Sequence, residues 1–554
     1  MFQVVKCFCR YASSGCLLIV LLGIGGCVVA EVPGCNAEAA IATEPKVNGW
    51  GIDVLNQRFV PTTRAGIDKA NLEQLALRWA FAYPDSDAPR AQAFASDNIV
   101  VVADMNGGVY ALDREMGCER WRYDAGSMVR SAIRYIEVDG QHLLTFGTLA
   151  AEIIAIDLLS GDEVWRLQAG EHPQAMVSGS GVEYDGVLYQ AVSSFEVFTA
   201  LNPFYACCTF RSSILAIDAG SGEIIWRAYT IEEKPAVYRE RVLLPDLYGP
   251  SGAPVWSQPT LDIERQRLYV GTGENYSSPA TDTSDAILAF DMNTGEMLWK
   301  QQFLASDAWN VSCESPLDAN CPDEKGMDLD FGAPPILVEV QGRDYILAGQ
   351  KNGAVYALDP DRDGELFWSA KPGTGGKAGG VHFAMAVDPV SGVLFVPISD
   401  RDVGLFGANP PGEPNPSLHA FDIATGESLW EAKAPGTCTD ERGRKIKKCY
   451  PGFSAAVTAT EELVFAPALD GILYVYDTAT GELLWTFNTL REFPAVNETE
   501  TGGPAKGGAI DGGGVYLDAG TLFMISGYGM VGQIPGNAFL VLTPSKTRAG
   551  VSEE

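Results

Sequence analysis

A few short stretches of this chain carry side chains that could do chemistry together. Cys207 and Cys208 are adjacent, and Arg211 follows closely. The pair reads as two buried thiols, as cysteines paired elsewhere or, in an exported chain, as a vicinal disulfide. Bonded to each other they would present a flat, polarizable face beside a guanidinium suited to gripping carboxylates. Trp256 stands in Pro254-Val255-Trp256-Ser257, where a flat ring could support a planar ligand. Glu196, which closes Ser193-Ser194-Phe195-Glu196, and Glu274-Asn275 offer the hard oxygens that calcium prefers. Asp307 and the run Asp328-Leu329-Asp330 add carboxylates, and Lys351 adds a cation. Singly, each acid reads as a solvated surface charge and Lys351 as a turn lysine. Their concentration in one part of the chain makes them candidates.

The elements that must position them repeat. Leu473-Tyr474-Val475-Tyr476 reads as a strand, Asp477 to Gly481 as a tight turn, and Leu483 to Trp485 as the returning strand. The phrase Asp-x-x-x-Gly-x-x-x-Trp also opens at Asp113, Asp157, Asp218, Asp291 and Asp422, and a copy with one extra turn residue runs from Asp359 to Trp368. Leu75 to Phe81, with Trp79, looks like a returning strand without its turn, and Asn537 to Leu542 like an outgoing strand without its Trp. Joined, they make an eighth copy that closes a ring and removes exposed sheet edges. The expectation is an all-β, eight-bladed β-propeller, sealed by pairing of its N- and C-terminal strands. Spacing between turn aspartates grows from 44 residues (Asp113 to Asp157) to 73 (Asp218 to Asp291). A bare blade needs about forty, so the surplus between Gln174 and Asp359 is loop, and loops on a rigid ring are where function is placed.

A formal net charge of -32 argues against nucleic acid as a partner. Lys6 and Arg10 precede the apolar run Cys16 to Ile24, so residues 1–30 read as an export signal and 31–554 as one propeller domain. Cleavage after Ala30 competes with a lipobox reading of Ile24-Gly25-Gly26-Cys27, which would leave Cys27 lipidated. In an oxidising compartment Cys313 with Cys321 and Cys438 with Cys449 are natural loop staples, with Cys35 and Cys118 as a long-range pair.

With Asn48-Gly49-Trp50-Gly51, Cys207-Cys208-Thr209-Phe210-Arg211, Gly271-Thr272-Gly273, Asp307-Ala308-Trp309-Asn310 and Asp328-Leu329-Asp330-Phe331-Gly332, the chain resembles the pyrroloquinoline quinone (PQQ) dependent alcohol dehydrogenases, in their polyvinyl-alcohol dehydrogenase branch. The Asp/Gly/Trp repeat alone is shared with outer-membrane assembly factors, which are cofactor-free scaffolds. The resemblance implies a quinone between Trp256 and Cys207-Cys208, Arg211 on a cofactor carboxylate, Ser193 and Ser194 bonding the cofactor, and Lys351 polarising its oxygens. It implies Ca²⁺, or a lanthanide, on Glu196, on Glu274 or Asn275, and on Asp330. The base falls to Asp328, with Asp330 beside the metal and Asp307 in reserve, because Asn310 stands where relatives have Asp. Phe383 and Phe453 stand where relatives carry Trp on the substrate side. The expected reaction is hydride removal from a secondary or polymeric alcohol in the periplasm. With no Cys-x-x-Cys-His present, the expected electron acceptor is a separate cytochrome c. Of the four histidines, His382 is the one with a claim to face the funnel.

Overall fold

The structure, a computed structural model, describes residues 40–401, 412–439 and 442–545. The signal segment, Cys27 and Cys35 lie outside the described residues. Eight antiparallel sheets form a β-propeller. Blade 1 runs Phe94–Ala95, Ile99–Ala103, Gly108–Asp113, Glu119–Asp124, and blades 2 to 7 repeat this order of four strands through Leu483–Asn488. Blade 3 has its first strand broken into Ala175–Met176 and Val182–Tyr184. Blade 8 is assembled from both ends of the chain: Val515–Asp518, Thr521–Ser526 and Ala538–Pro544, then Leu75–Ala82 as the outermost strand, with Trp79 opposite Val541. The eighth copy is therefore split as the sequence implied.

The repeat phrase has a physical explanation in the turns. Each Asp accepts backbone N–H bonds from its own turn, two residues on, three residues on or both, as Asp477 does from Ala479 and Thr480 at 2.9 Å. The Gly adopts positive φ, +74° at Gly117 and +70° at Gly481. It also seats the Trp of the preceding blade: a Cβ on Gly117 would lie 2.6 Å from the Trp79 ring, and one on Gly481 2.7 Å from that of Trp430. The docked indole N–H donates to the first turn carbonyl, Trp79 to Arg114 (3.1 Å) and Trp368 to Ile423 (2.8 Å). Each Trp thus welds its blade to the next. At the copy with one extra residue, Trp299 still covers Gly364, but its indole nitrogen is buried without a partner. Trp485 faces the joint where chain ends replace the turn, and packs instead against the apolar cluster that holds Leu72 and Leu75.

The lead-in before Leu75 circles the hub. Val47 pairs with Ala95, and the Asn48 carboxamide bonds both backbone groups of Tyr135. Val54, Leu55 and Gln57 accept backbone bonds from Leu261, Leu337 and Val387, and Arg58 accepts one from Ala459. One segment so touches the first strands of blades 1, 2, 4, 5, 6 and 7 or the residue beside them. Arg58, fully buried with no acidic partner among the described residues, donates to the carbonyls of Val457 (2.7 Å) and Gly513 (2.8 Å), to the Thr458 hydroxyl (3.0 Å) and to the Trp50 carbonyl. Arg58→Met should orphan these acceptors and cost roughly 2–5 kcal/mol, read as a lower urea midpoint. A midpoint equal to wild type would mean that water satisfies them.

Cys313–Cys321 and Cys438–Cys449 are bonded as expected, Cys207 is joined to Cys208, and Cys118 is disulfide-bonded. Among the described residues no helix is long and apolar enough to cross a membrane.

Candidate active site

Because every blade begins in the same sense, the far ends of all second strands open onto one face. Ser193–Ser194 end the second strand of blade 3, Glu274 follows that of blade 4, Arg267–Gly271, and Lys351 follows that of blade 5, Arg343–Gly349. These residues, with Trp256, Asp328 and Asp330, line a cavity of about 540 Å³. Residues far apart in sequence meet there because blades repeat, not because the chain bends locally.

At its base, one oxygen each of Glu274, Asp328 and Asp330 lie within 4.8 Å of one another. Lys351 Nζ donates to Asp328 Oδ1 (2.7 Å) and Asp330 Oδ2 (2.9 Å), and sits 5.5 Å from the Trp256 ring centre. Asp330 also accepts from Trp256 Nε1 (3.0 Å) and from the Glu274 backbone N–H (3.3 Å). Gly273 permits this approach, since a Cβ there would meet the Asp330 carboxyl at 2.7 Å. The acids are therefore unequal. Burial works to raise Asp330, but Lys351, Glu274 and Trp256 together hold it down at about 2. Burial raises Asp328 to about 8, against the opposing pull of Lys351. Burial, then the charges of Asp330 and Asp328, push Glu274 well up, and its Oε2 is buried without a partner. Burial alone would lower Lys351, but the three acids hold its ammonium well above the ordinary value. Asp328 keeps φ at +58°, a strained choice for a non-glycine residue that is typical of functional positions.

Several sequence candidates stand elsewhere. The Cys207–Cys208 pair is 0–1% exposed and lies behind the wall, in the apolar cluster that contains the wall residues Val197, Tyr276 and Trp309. Arg211 turns away, donating to the Ile231 and Glu232 carbonyls with its guanidinium 3.9 Å from the Tyr229 ring centre. Glu196 accepts from Tyr205 Oη and from the Thr209 and Phe210 N–H groups, all at 2.8 Å, so it anchors the loop after the cysteines and is not among the clustered acids. Asn275 bonds Ser251 and Thr281. Asp307 accepts from the Met327, Asp328 and Leu329 N–H groups and so shapes the loop bearing the two acids. Phe383 lines the cavity, whereas Phe453 is fully buried against Tyr474 and Tyr476.

Sequence reasoning missed Arg90, Arg130 and Arg401, all of which line the cavity. Arg90 Nε and Nη2 and Arg401 Nε are buried without partners, and Arg130 lies 5.8 Å from the Trp256 ring centre. Arg401 follows the second strand of blade 6, Val393–Ile398, and Tyr528 that of blade 8. The repeat register that places Lys351 would have found both. Arg90 and Arg130 precede the first strands of their blades, where no comparable signal exists.

Two family models match the repeats: one described as outer membrane protein assembly factor BamB, over residues 67–203 and 351–527, and one described as the glucose/ethanol/alcohol dehydrogenase β-propeller domain, over 210–372. The chain is 36% identical to a polyvinylalcohol dehydrogenase of Pseudomonas sp over 493 residues, 88% of this chain and 74% of the relative. It is 33% identical to one of Sphingopyxis sp. strain 113P3, over 87% of this chain and 72% of the relative. In fold it resembles the quinohemoprotein alcohol dehydrogenase of Comamonas testosteroni, with a TM-score of 0.63, 18% identity, and coverage of 93% of this chain and 83% of the other.

Proposed function

Given that this chain belongs to the PQQ-dependent alcohol dehydrogenase family, we propose that it oxidises secondary and polymeric alcohols at the Glu274/Asp328/Asp330/Lys351 cluster. The observation that carries this reading is the geometry of the cluster: three carboxylates whose oxygens lie within 4.8 Å of one another at the base of the cavity, two of them bonded to one buried lysine. An assembly scaffold has no use for such a buried arrangement.

The residues fit both groups that the family implies. PQQ is planar and carries three carboxylates; the Trp256 face and the unsatisfied nitrogens of Arg90 and Arg401 suit those features. A hard cation suits Glu274 and Asp330, with Asp328 beside them, and the unpartnered Glu274 Oε2 marks where a ligand oxygen waits. Ca²⁺ is the simplest choice, and three carboxylates also suit a trivalent lanthanide. Of the sequence-derived assignments, Ser193, Ser194, Trp256, Lys351, Glu274, Asp328 and Asp330 are kept. Cys207–Cys208 and Glu196 become supports of the wall, and Arg211 and Asn275 supports of their loops.

When bound, the quinone supplies the redox chemistry as acceptor of the hydride from the alcohol carbon. Asp328 receives the hydroxyl proton, which its raised affinity favours. Asp330, held ionised, would help to hold a cation, and the Lys351 ammonium, fixed between Asp328 and Asp330, would supply positive charge to a bound quinone. Trp256 orients Asp330 through its indole N–H, and its face would be free to support a planar ring. Electrons pass to a separate periplasmic cytochrome c, whose basic surface would be steered by the net charge of -32.

Reconstitution tests this. Protein incubated with PQQ and Ca²⁺ is expected to reduce a dye in the presence of 2-pentanol or polyvinyl alcohol, and chelation is expected to abolish it. Failure with every alcohol, with no quinone absorbance retained by the protein, would return the chain to the scaffold class.

A further inference from the structure

His382 lines the cavity, and the mechanism above does not use it. Its ring is held on several sides. Nδ1 lies 2.8 Å from Ser454 Oγ, the Phe383 ring centre is 4.4 Å away, and the Trp256 ring centre is 5.9 Å away at a near-perpendicular 75°. Ser454 is 1% exposed; the buried Asp511 carboxyl, which accepts from the Gly512 N–H (2.9 Å) and Gln533 Nε2 (3.3 Å), is pushed up by burial, and the Ser454 hydroxyl opposes that shift. A serine has one proton to give, and a carboxylate is the stronger acceptor. Ser454 Oγ must then receive the proton on Nδ1, which leaves Nε2 bare. Nε2 has no hydrogen-bond partner among the described residues. Burial, then the charges of Lys351 and Arg130, push the imidazole well below its ordinary value, so it stays neutral.

A neutral acceptor is out of place for the other occupants of this cavity. It repels the carboxylates that the arginines suit, and it is not part of the acid cluster at the base. It matches a hydroxyl donor. We propose that His382 is a specificity-determining residue whose Nε2 accepts a hydrogen bond from a second substrate hydroxyl, the one two carbons from the reacting carbon in a polyol. Apolar Phe383, Met530 and Val531 line the same cavity and suit the carbon chain that joins two hydroxyls. The inference rests on the alcohol-oxidising reading of the site.

The test compares 2,4-pentanediol with 2-pentanol in the PQQ- and Ca²⁺-loaded enzyme. In His382→Phe, KM for the diol is expected to rise about tenfold, the effect of one lost hydrogen bond, while KM for 2-pentanol changes less than twofold. His382→Gln, whose amide oxygen can accept, should recover part of the diol preference, and Ser454→Ala should lose part of it. Titration with PQQ alone should give the same affinity in all variants. The chain has only four histidines, so ¹⁵N spectra can be assigned by loss of one signal; His382 is expected as the Nδ1–H tautomer at neutral pH. Equal KM changes for both alcohols, weakened PQQ binding, or an Nε2–H tautomer would overturn the assignment. A wild-type enzyme that oxidises neither alcohol would instead sink the underlying reading.

Discussion

Replacing Asp328 with asparagine is expected to cut kcat by ~10²–10⁴-fold, the usual worth of a positioned general base, while PQQ stays bound. Asparagine keeps the shape and can still accept from Lys351, which lies 2.7 Å from Oδ1. The capacity to take a proton is lost, together with one negative charge facing Lys351. The sign of the pH dependence follows from the same residue. Burial raises Asp328 to about 8, and a base works in its ionised form. Wild-type kcat/KM should therefore climb with pH as Asp328 ionises and then level off, whereas the variant's residual rate should lack that rise. Near-wild-type turnover in Asp328→Asn would transfer the role to Asp330.

The second large effect belongs to Lys351→Met, in stability as well as rate. Removing one partner of a buried ionic group costs ~3–5 kcal/mol, because the remaining charges are left uncompensated. In the wild type, Asp330 is held at about 2, below its ordinary value, with Lys351 the chief lowering influence. Its contribution is thus fully present above the unfolded-state value near 4 and is lost as pH falls toward 2. Without the lysine, burial dominates and Asp330 titrates above its unfolded value, so the variant should lose stability as pH rises from about 4. Urea melts of the two proteins should accordingly converge in acid and diverge toward neutrality. Saturating Ca²⁺ at a hundred times its Kd should return about 2.7 kcal/mol. A constant gap at all pH values, unaffected by Ca²⁺, would show that Lys351 matters only for packing.

What could be read from the sequence was whatever depends on local, repeated geometry. An Asp that binds its own turn, a Gly at positive φ and a Trp eight residues after the Asp announce themselves wherever they recur, so the ring, its blade count and its split closure were legible. The same register made Glu274, Lys351 and the two serines findable, since each stands at the end of a blade's second strand. Which way a side chain turns is another matter. Glu196 and Asn275 are chemically as suited to a cation as Glu274, and Arg211 as suited to a carboxylate as Arg90. Only packing decided that backbone N–H groups claim Glu196, that carbonyls claim Arg211, and that the cysteine pair lies behind the wall. Arg90 and Arg130 became visible only when separate blades converged on one axis, because a site at a hub is built from contacts across the ring, which no span of sequence contains.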